Sequence, residues 1–346
     1  MTPTIPLRSV GATGLVLSEL GLGSAPLGNL YEPMSDVTAR AILDAALAAG
    51  VRYVDTAPFY GFGLSERRVG DGIRGQGDCV ISTKVGRLLE PDSSVADDSM
   101  RCGFRSRLPF KAVFDYSHDA IMRSWEASLQ RLGVARVDLL YVHDVGADTH
   151  GAAHPAMWHQ LTAGGGFRAL QRLRDEGSIR GFGLGVNEIA VCLEAMNHIH
   201  VDALLLAGRY TLLEQGALDE LLPRARASGT AIIVGGPYNS GILAVGTRSN
   251  GPAPYNYAPA PAAVMARVAR IETVCERHAI PLAAAALQFP LSDPQVASVI
   301  PGIASVAQLS DTLRFYRVPI PPRFWADLKA EGLLRDDAVV PDARNP

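Results

Sequence analysis

Tyr53-Val54-Asp55-Thr56-Ala57-Pro58-Phe59-Tyr60-Gly61-Phe62-Gly63-Leu64-Ser65-Glu66 opens as a short apolar β-type run and ends in turn residues. Asp55 closes the run, and Tyr60 follows in the loop. The next apolar run, Cys79-Val80-Ile81-Ser82-Thr83-Lys84, ends in a lysine, and Tyr141-Val142-His143-Asp144 ends its run in a histidine. Ionisable side chains at the ends of successive apolar strands mark the mouth of a parallel barrel, where strand ends supply the chemistry.

Outward from this stretch, apolar runs alternate with helical patterns. Strands are predicted near Leu20–Leu22, Tyr53–Asp55, Val80–Lys84, Asp138–His143, Gly181–Val186, Ala203–Ala207, Ala231–Gly235 and Ala297–Ile300. Spacing near 3.6 predicts helices over Asp36–Ala49, Ser65–Arg74, His118–Leu132, Gly166–Glu176, Glu188–His198, Leu218–Ser228, Ala262–His278 with Leu282–Phe289, and Val306–Phe315. Ser35-Asp36 stands where an N-cap belongs, and Gly50 and Gly133 where C-terminal caps do. Eight βα units in one chain read as a single α/β domain over residues 1–346, a (β/α)8 TIM barrel. Leu7–Ser18 alternates and turns on glycines, as an N-terminal β-hairpin capping the barrel floor would. A doubly wound sheet is disfavoured: Gly181-Phe182-Gly183-Leu184-Gly185 has the wrong spacing for its phosphate turn and falls mid-chain. Two long connections, 86–117 and 245–261, follow strands and so belong over the mouth. The first carries Arg101, Arg105, Arg107 and Lys111, suited to a polar ligand or to a solvated cover.

With 48% apolar residues the chain supports a large core. A net charge of −3 without blocks of like charge argues against nucleic acid or anionic membrane as partners. Four scattered cysteines without a CxxC pair read as free thiols in a reducing compartment. The start of the chain lacks a basic segment followed by an apolar one, and no uncharged apolar run is long enough to span a bilayer. A cytoplasmic protein acting on a small molecule is expected. His150, His154 and His159 lie in a Gly/Ala-rich stretch without a carboxylate or cysteine in register, so no metal site is expected.

Asp55, Tyr60, Lys84 and His143 each have a structural alternative: a helix cap, a loop aromatic, or satisfied polar groups at a rim. Together they form an acid/base device. A tyrosine titrates near pH 10. A nearby lysine cation is expected to lower that pKa, a carboxylate beside the lysine to fix it, and a histidine to orient the substrate oxygen or relay its proton. Such a group exchanges a proton at a carbonyl or hydroxyl oxygen. It does not supply hydride, so a nicotinamide cofactor is implied.

These motifs resemble those of the aldo-keto reductases, and the resemblance runs from Arg8–Leu15 to about Thr312. The family's catalytic tetrad falls on Asp55, Tyr60, Lys84 and His143 without substitution. Ala25–Tyr31, Ala207–Leu213, Tyr238–Leu243 and Pro281–Pro290 resemble a bacterial branch holding D-threo-aldose 1-dehydrogenases, L-fucose dehydrogenases and pyridoxal 4-dehydrogenases. The resemblance implies a dinucleotide across the barrel top. Asn187 would meet the nicotinamide amide, and Asn239-Ser240-Gly241 the pyrophosphate. Gly302, Gln308, Asp311 and Thr312 would surround the adenine ribose, and Gly23 and Ser24 join this set. Phe59 and Asp144 would face the substrate, Asp144 either on a sugar hydroxyl or bracing a loop.

Three departures matter. A glutamine usual beside the nicotinamide is replaced by Ala207, and the aromatic usual on its ring by Gly235. The lysine and arginine that neutralise a 2′-phosphate in NADP-dependent members are replaced by Gly302 and Gln308, with Asp311 adding negative charge. NAD over NADP is therefore expected, and with it oxidation. In that direction Tyr60 is the general base, and a cyclic hemiacetal, at C1 of an L-fucose-like aldose, becomes a lactone. Pyridoxal going to 4-pyridoxolactone, a general aldehyde reductase and a non-catalytic cofactor-sensing subunit are the alternatives.

Overall fold

The computed structural model describes residues 5–248 and 254–341. The opening Met1–Thr4 and the middle of the 245–261 connection lie outside the described residues, as do residues 342–346 of the single-domain expectation.

Eight parallel strands follow in chain order: β1 Leu22–Gly23, β2 Tyr53–Asp55, β3 Val80–Val85, β4 Leu139–His143, β5 Gly181–Val186, β6 Ala203–Ala207, β7 Ala231–Gly235 and β8 Val296–Ile300. Each pairs with its chain neighbours. Bridges Leu20↔Val299 and Gly23↔Gly302 bring the last strand round to the first. The result is the expected (β/α)8 barrel. Along β4, Leu139 and Tyr141 point into the barrel while Leu140 and Val142 face the helices, the two-residue period that divides one strand between two cores.

The N-terminal hairpin pairs Leu7–Ser9 with Val16–Ser18. Its Val10, Leu15 and Leu17 are buried among the inward residues Tyr53, Leu139, Ala203, Ala231 and Ala297. Burial of such a side chain is worth about 1.5–3 kcal/mol. The tip is tight: a Cβ on Gly11 would stand 2.7 Å from the Gly229 carbonyl oxygen, just before β7. The hairpin thus closes the end of the barrel opposite the strand C-termini.

The helices form where the apolar period placed them, within a few residues. Ser35 caps Asp36–Ala48 by accepting from the Thr38 N–H at 3.0 Å, and Gly133 ends His118–Leu132 in the left-handed conformation. Four α-helices arise where none was predicted: Ala147–His150, His154–Leu161, Ile242–Val245 and Pro322–Ala330. The last starts on a proline at its first position and buries Phe324, Trp325 and Leu328. Connection 86–117 is also more ordered than a loop. Arg87–Pro91 pairs antiparallel with Phe110–Phe114, and Met100–Arg101 with Phe104–Arg105. Pro254–Tyr255 and Ala258–Pro259 make a second small hairpin above the mouth. The long ladder draws on a partner brought back by the fold, which local propensity does not announce, while the two short hairpins close on two-residue turns, Cys102-Gly103 and Asn256-Tyr257.

Candidate active site

Asp55 ends β2, Lys84 lies one residue before the end of β3, and His143 ends β4. Parallel pairing in register sets these strand ends side by side. Tyr60 sits on the turn after β2. That turn is pinned by close packing: a Cβ on Gly61, at φ 65°, would meet the Gly28 carbonyl oxygen at 2.3 Å. Arg68 braces the opposite segment by donating to the Leu27 and Met34 carbonyls and to Asn29.

The Lys84 ammonium has three protons and places all of them: on Asp55 Oδ2 at 2.6 Å, on the Thr56 carbonyl at 2.9 Å and on the Tyr60 hydroxyl at 3.1 Å. The other Asp55 oxygen accepts from Ser82 at 2.7 Å. Ser82 is in turn 2.9 Å from the Tyr53 hydroxyl, inside the barrel. Burial works against the charge on Lys84, but Asp55 and Tyr60 hold the ammonium above its ordinary pKa. Tyr60 departs from the sequence-based expectation. Lys84 does pull its pKa down, yet burial is the larger effect, and the phenol lies above its usual value near 10. Tyr60 is therefore a phenol, not a phenolate, in the free protein. His143 is held well below its ordinary 6.5 by burial, then by Arg87 and Lys84, and is a neutral imidazole. Its Nδ1 is buried without a hydrogen-bond partner among the described residues.

A cavity of about 420 Å³ opens above these groups. Phe59, Tyr60, Lys84, His143, Asp144 and Asn187 line it, as expected, and Ala207 forms part of its side. Asp55 lies beneath Lys84, 2% exposed. Phe104, on the 86–117 connection expected over the mouth, also lines the cavity, as do Arg87, Tyr31 and Tyr257, which sequence reasoning did not single out. Arg87 sits between the faces of Phe59 and Phe114, at 4.2 and 4.6 Å from their centroids, and 3.4 Å from Asp144 Oδ2. An isolated arginine three residues after Lys84 was its available signal. Cations named from sequence do other work: Arg101 donates to the Ser106, Leu108 and Phe110 carbonyls of the same connection, Arg105 to the Tyr31 carbonyl, and exposed Lys111 stands 3.9 Å from Glu90.

The residues expected around a dinucleotide spread along one side of the mouth. Asn187 is in the cavity wall. Ala207 and Gly235 are paired strand ends; Ala207 lines the cavity, whereas a Cβ on Gly235 would meet Leu205 Cδ2 at 3.2 Å and Ala207 Cβ at 3.4 Å. Asn239, Ser240 and Gly241 form a turn with positive φ. The Asn239 side chain is spent inside it, donating to the Gly208 carbonyl and accepting from Thr211. Ser240 accepts from the Tyr257 N–H and so anchors the second hairpin. Ser24 is buried against Ser65, while Gly23 and Gly302 bridge β1 to the segment after β8. Ser305 caps helix Val306–Tyr316, whose first turn carries Gln308. The Gln308 amide oxygen accepts from the Ala304 N–H, Thr312 donates to the Gln308 carbonyl, and Asp311 pairs with Arg314 at 3.0 Å. Asn187 and the small Ala207 in the cavity wall, with the uncharged start of that helix, fit a nicotinamide dinucleotide. Ser24 and the Asn239 side chain serve the scaffold. His150 meets the Tyr116 hydroxyl and His154 meets Glu194, both as structural contacts.

The Aldo/keto reductase family matches residues 19–331. Pyridoxal 4-dehydrogenase of Microbacterium luteolum is 45% identical over 94% of this chain and 97% of its own length. D-threo-aldose 1-dehydrogenase of a Pseudomonas species is 36% identical over 96% and 99%. The holo form of an aldo-keto reductase from Bacillus halodurans shares the fold, with a TM-score of 0.74 at 24% identity and 98% of each chain covered. Among the described residues, no helix is long and apolar enough to cross a membrane.

Proposed function

The chain belongs to the aldo/keto reductase family, and on that premise we propose that it is an NAD-dependent dehydrogenase converting a cyclic hemiacetal to a lactone in the cytoplasm. The observation that carries the reading is the Lys84 ammonium, fully hydrogen-bonded and joining Asp55 to the Tyr60 hydroxyl at the cavity floor. A nicotinamide dinucleotide, held by Asn187, the 239–241 turn and the 302–312 segment, would supply hydride chemistry there.

The protein's own residues handle the proton. Neutral His143 hydrogen-bonds the reacting oxygen and orients it toward Tyr60. In oxidation Tyr60 is the base, and Lys84 lowers the cost of forming its phenolate next to a buried carboxylate. The uncharged Gln308 and the acidic Asp311 suit a free ribose hydroxyl better than a 2′-phosphate.

Two hemiacetals fit. An L-fucose-like aldose is the sugar reading. Cyclised pyridoxal is supported by the 45% relative and by the aromatic side chains of Tyr31, Phe59, Phe104 and Tyr257 around the cavity, which suit a flat ring. Aldehyde reduction is favoured by one observation, the protonated resting state of Tyr60, which makes it a ready donor.

The test follows reduced-nicotinamide absorbance with L-fucose, D-arabinose, L-galactose and pyridoxal, each with NAD and NADP. Turnover with NAD is expected, and Tyr60→Phe should lower it by about 10²–10⁴-fold while NAD still binds. Normal turnover by the variant overturns the mechanism. Tight NAD binding without turnover of any substrate favours a cofactor-sensing role.

A further inference from the structure

Asp144 and Arg87 flank His143 on the cavity wall, yet neither reaches a hydrogen bond with the other. Arg87 Nη2 is 3.4 Å and His143 Nε2 is 3.6 Å from the same carboxylate oxygen, Asp144 Oδ2. Good N–H···O bonds are about 2.7–3.2 Å long. Three polar groups thus converge on one corner of the cavity wall, none of them hydrogen-bonded to another, so each keeps hydrogen-bonding capacity for a ligand in the cavity. The cluster is held firmly from outside. Arg87 is clamped between two aromatic faces, and its buried Nε has no partner among the described residues. Asp144 adopts a φ of 47°, a left-handed backbone that a residue with a side chain takes up at a cost.

We infer that Arg87 and Asp144 form a subsite for a second hydroxyl of the substrate, one lying within hydrogen-bond reach of the reacting oxygen. A hydroxyl matches both partners at once, donating to the carboxylate and accepting from the guanidinium. The substrate class is then narrower than hemiacetals at large: 2-hydroxy aldoses, and aromatic aldehydes with an ortho hydroxyl in open or cyclised form. Both candidates of the proposed function meet this requirement, and the inference rests on that reading for its oxidative arm. Arg87 has a further effect on the same ring, since its charge helps keep His143 neutral.

The experiment compares kcat/KM within two pairs. The oxidative pair is D-arabinose and 2-deoxy-D-ribose, which is arabinose without its 2-hydroxyl. The reductive pair is 2-hydroxybenzaldehyde and benzaldehyde. The native protein should favour the hydroxylated member by about 10²-fold or more, because the deoxy analogue leaves buried polar groups unpaired. In Arg87→Met the ratio should collapse to within about tenfold, as it would after losing one charged hydrogen bond worth about 1.5–3 kcal/mol. NAD binding, read by fluorescence, reports that the variant is folded. If it is not, Asp144→Asn reads the same ratio. A native ratio near one overturns the inference, as does a variant that slows both members equally. Reduction that discriminates, with no sugar oxidised, sinks the hemiacetal reading and leaves the subsite standing. Absence of turnover in both directions overturns both.

Discussion

Lys84 donates to the Tyr60 hydroxyl at 3.1 Å while its ammonium stands 4.6 Å over the same ring's centroid, so one cation addresses both the oxygen and the π face of one phenol. The two contacts fix where the proton sits. They also make Tyr60 dependent on a lysine that is only 2% exposed and whose counter-charge, Asp55, is equally buried.

Removing the cation alone should therefore damage the fold as well as the chemistry. Lys84→Met leaves the Asp55 carboxylate buried without its partner, a loss of about 3–5 kcal/mol. Urea denaturation should show it as a lowered midpoint. The double variant Asp55→Asn/Lys84→Met removes the stranded charge and should regain much of that stability, with activity still down at least about 10²-fold. Equal midpoints for the single and double variants would refute the buried-pair account.

The pH profile should carry two signatures. Tyr60 lies above its ordinary value near 10, so its protonated form persists through neutral and alkaline pH. Aldehyde reduction, which uses the phenol as donor, should hold its rate up to that range and fall beyond it. Hydroxyl oxidation, which uses the deprotonated form, should climb through the same range. His143 is depressed well below 6.5, so neither direction should show a limb between pH 6 and 7. A break near 6.5 that disappears in His143→Gln would show that this histidine titrates freely.

Cofactor choice should respond to charge at the start of helix Val306–Tyr316. Asp311 is paired with Arg314 and so masks a nearby cation; on the proposed NAD reading its charge would also disfavour a 2′-phosphate. Gln308→Arg with Asp311→Asn adds one cation and uncovers another. A charged hydrogen bond worth about 1.5–3 kcal/mol should raise the NADP-to-NAD ratio of kcat/KM by about ten- to a hundredfold. A native protein that already prefers NADP would overturn the assignment.

The tetrad was legible because each of its strand residues closes an apolar run, and parallel pairing in register must then bring strand ends together. Asp55, Lys84 and His143 needed no knowledge of loops. Arg87 and Tyr257 did: their positions depend on segments that fold back over the mouth, the first through pairing with Phe110–Phe114 and the second through the turn anchored on Ser240. The protonation of Tyr60 was misjudged for a related reason. A lysine neighbour is visible in a motif, whereas the depth of burial that outweighs it is set by the whole barrel. Asn239 and Ser24 show a third limit. Their residue types suit a ligand, but partners at Gly208, Thr211 and Ser65 had already taken their polar atoms.

The left-handed backbone at Asp144 sets stabilisation and selectivity against each other. Glycine or asparagine is more at ease in that conformation, so a search for thermally hardier variants would be drawn to this position. The same replacement would strip the carboxylate from beside His143. An engineer seeking robustness and one seeking a new substrate would thus make the same substitution, and only the first would count the outcome as a loss.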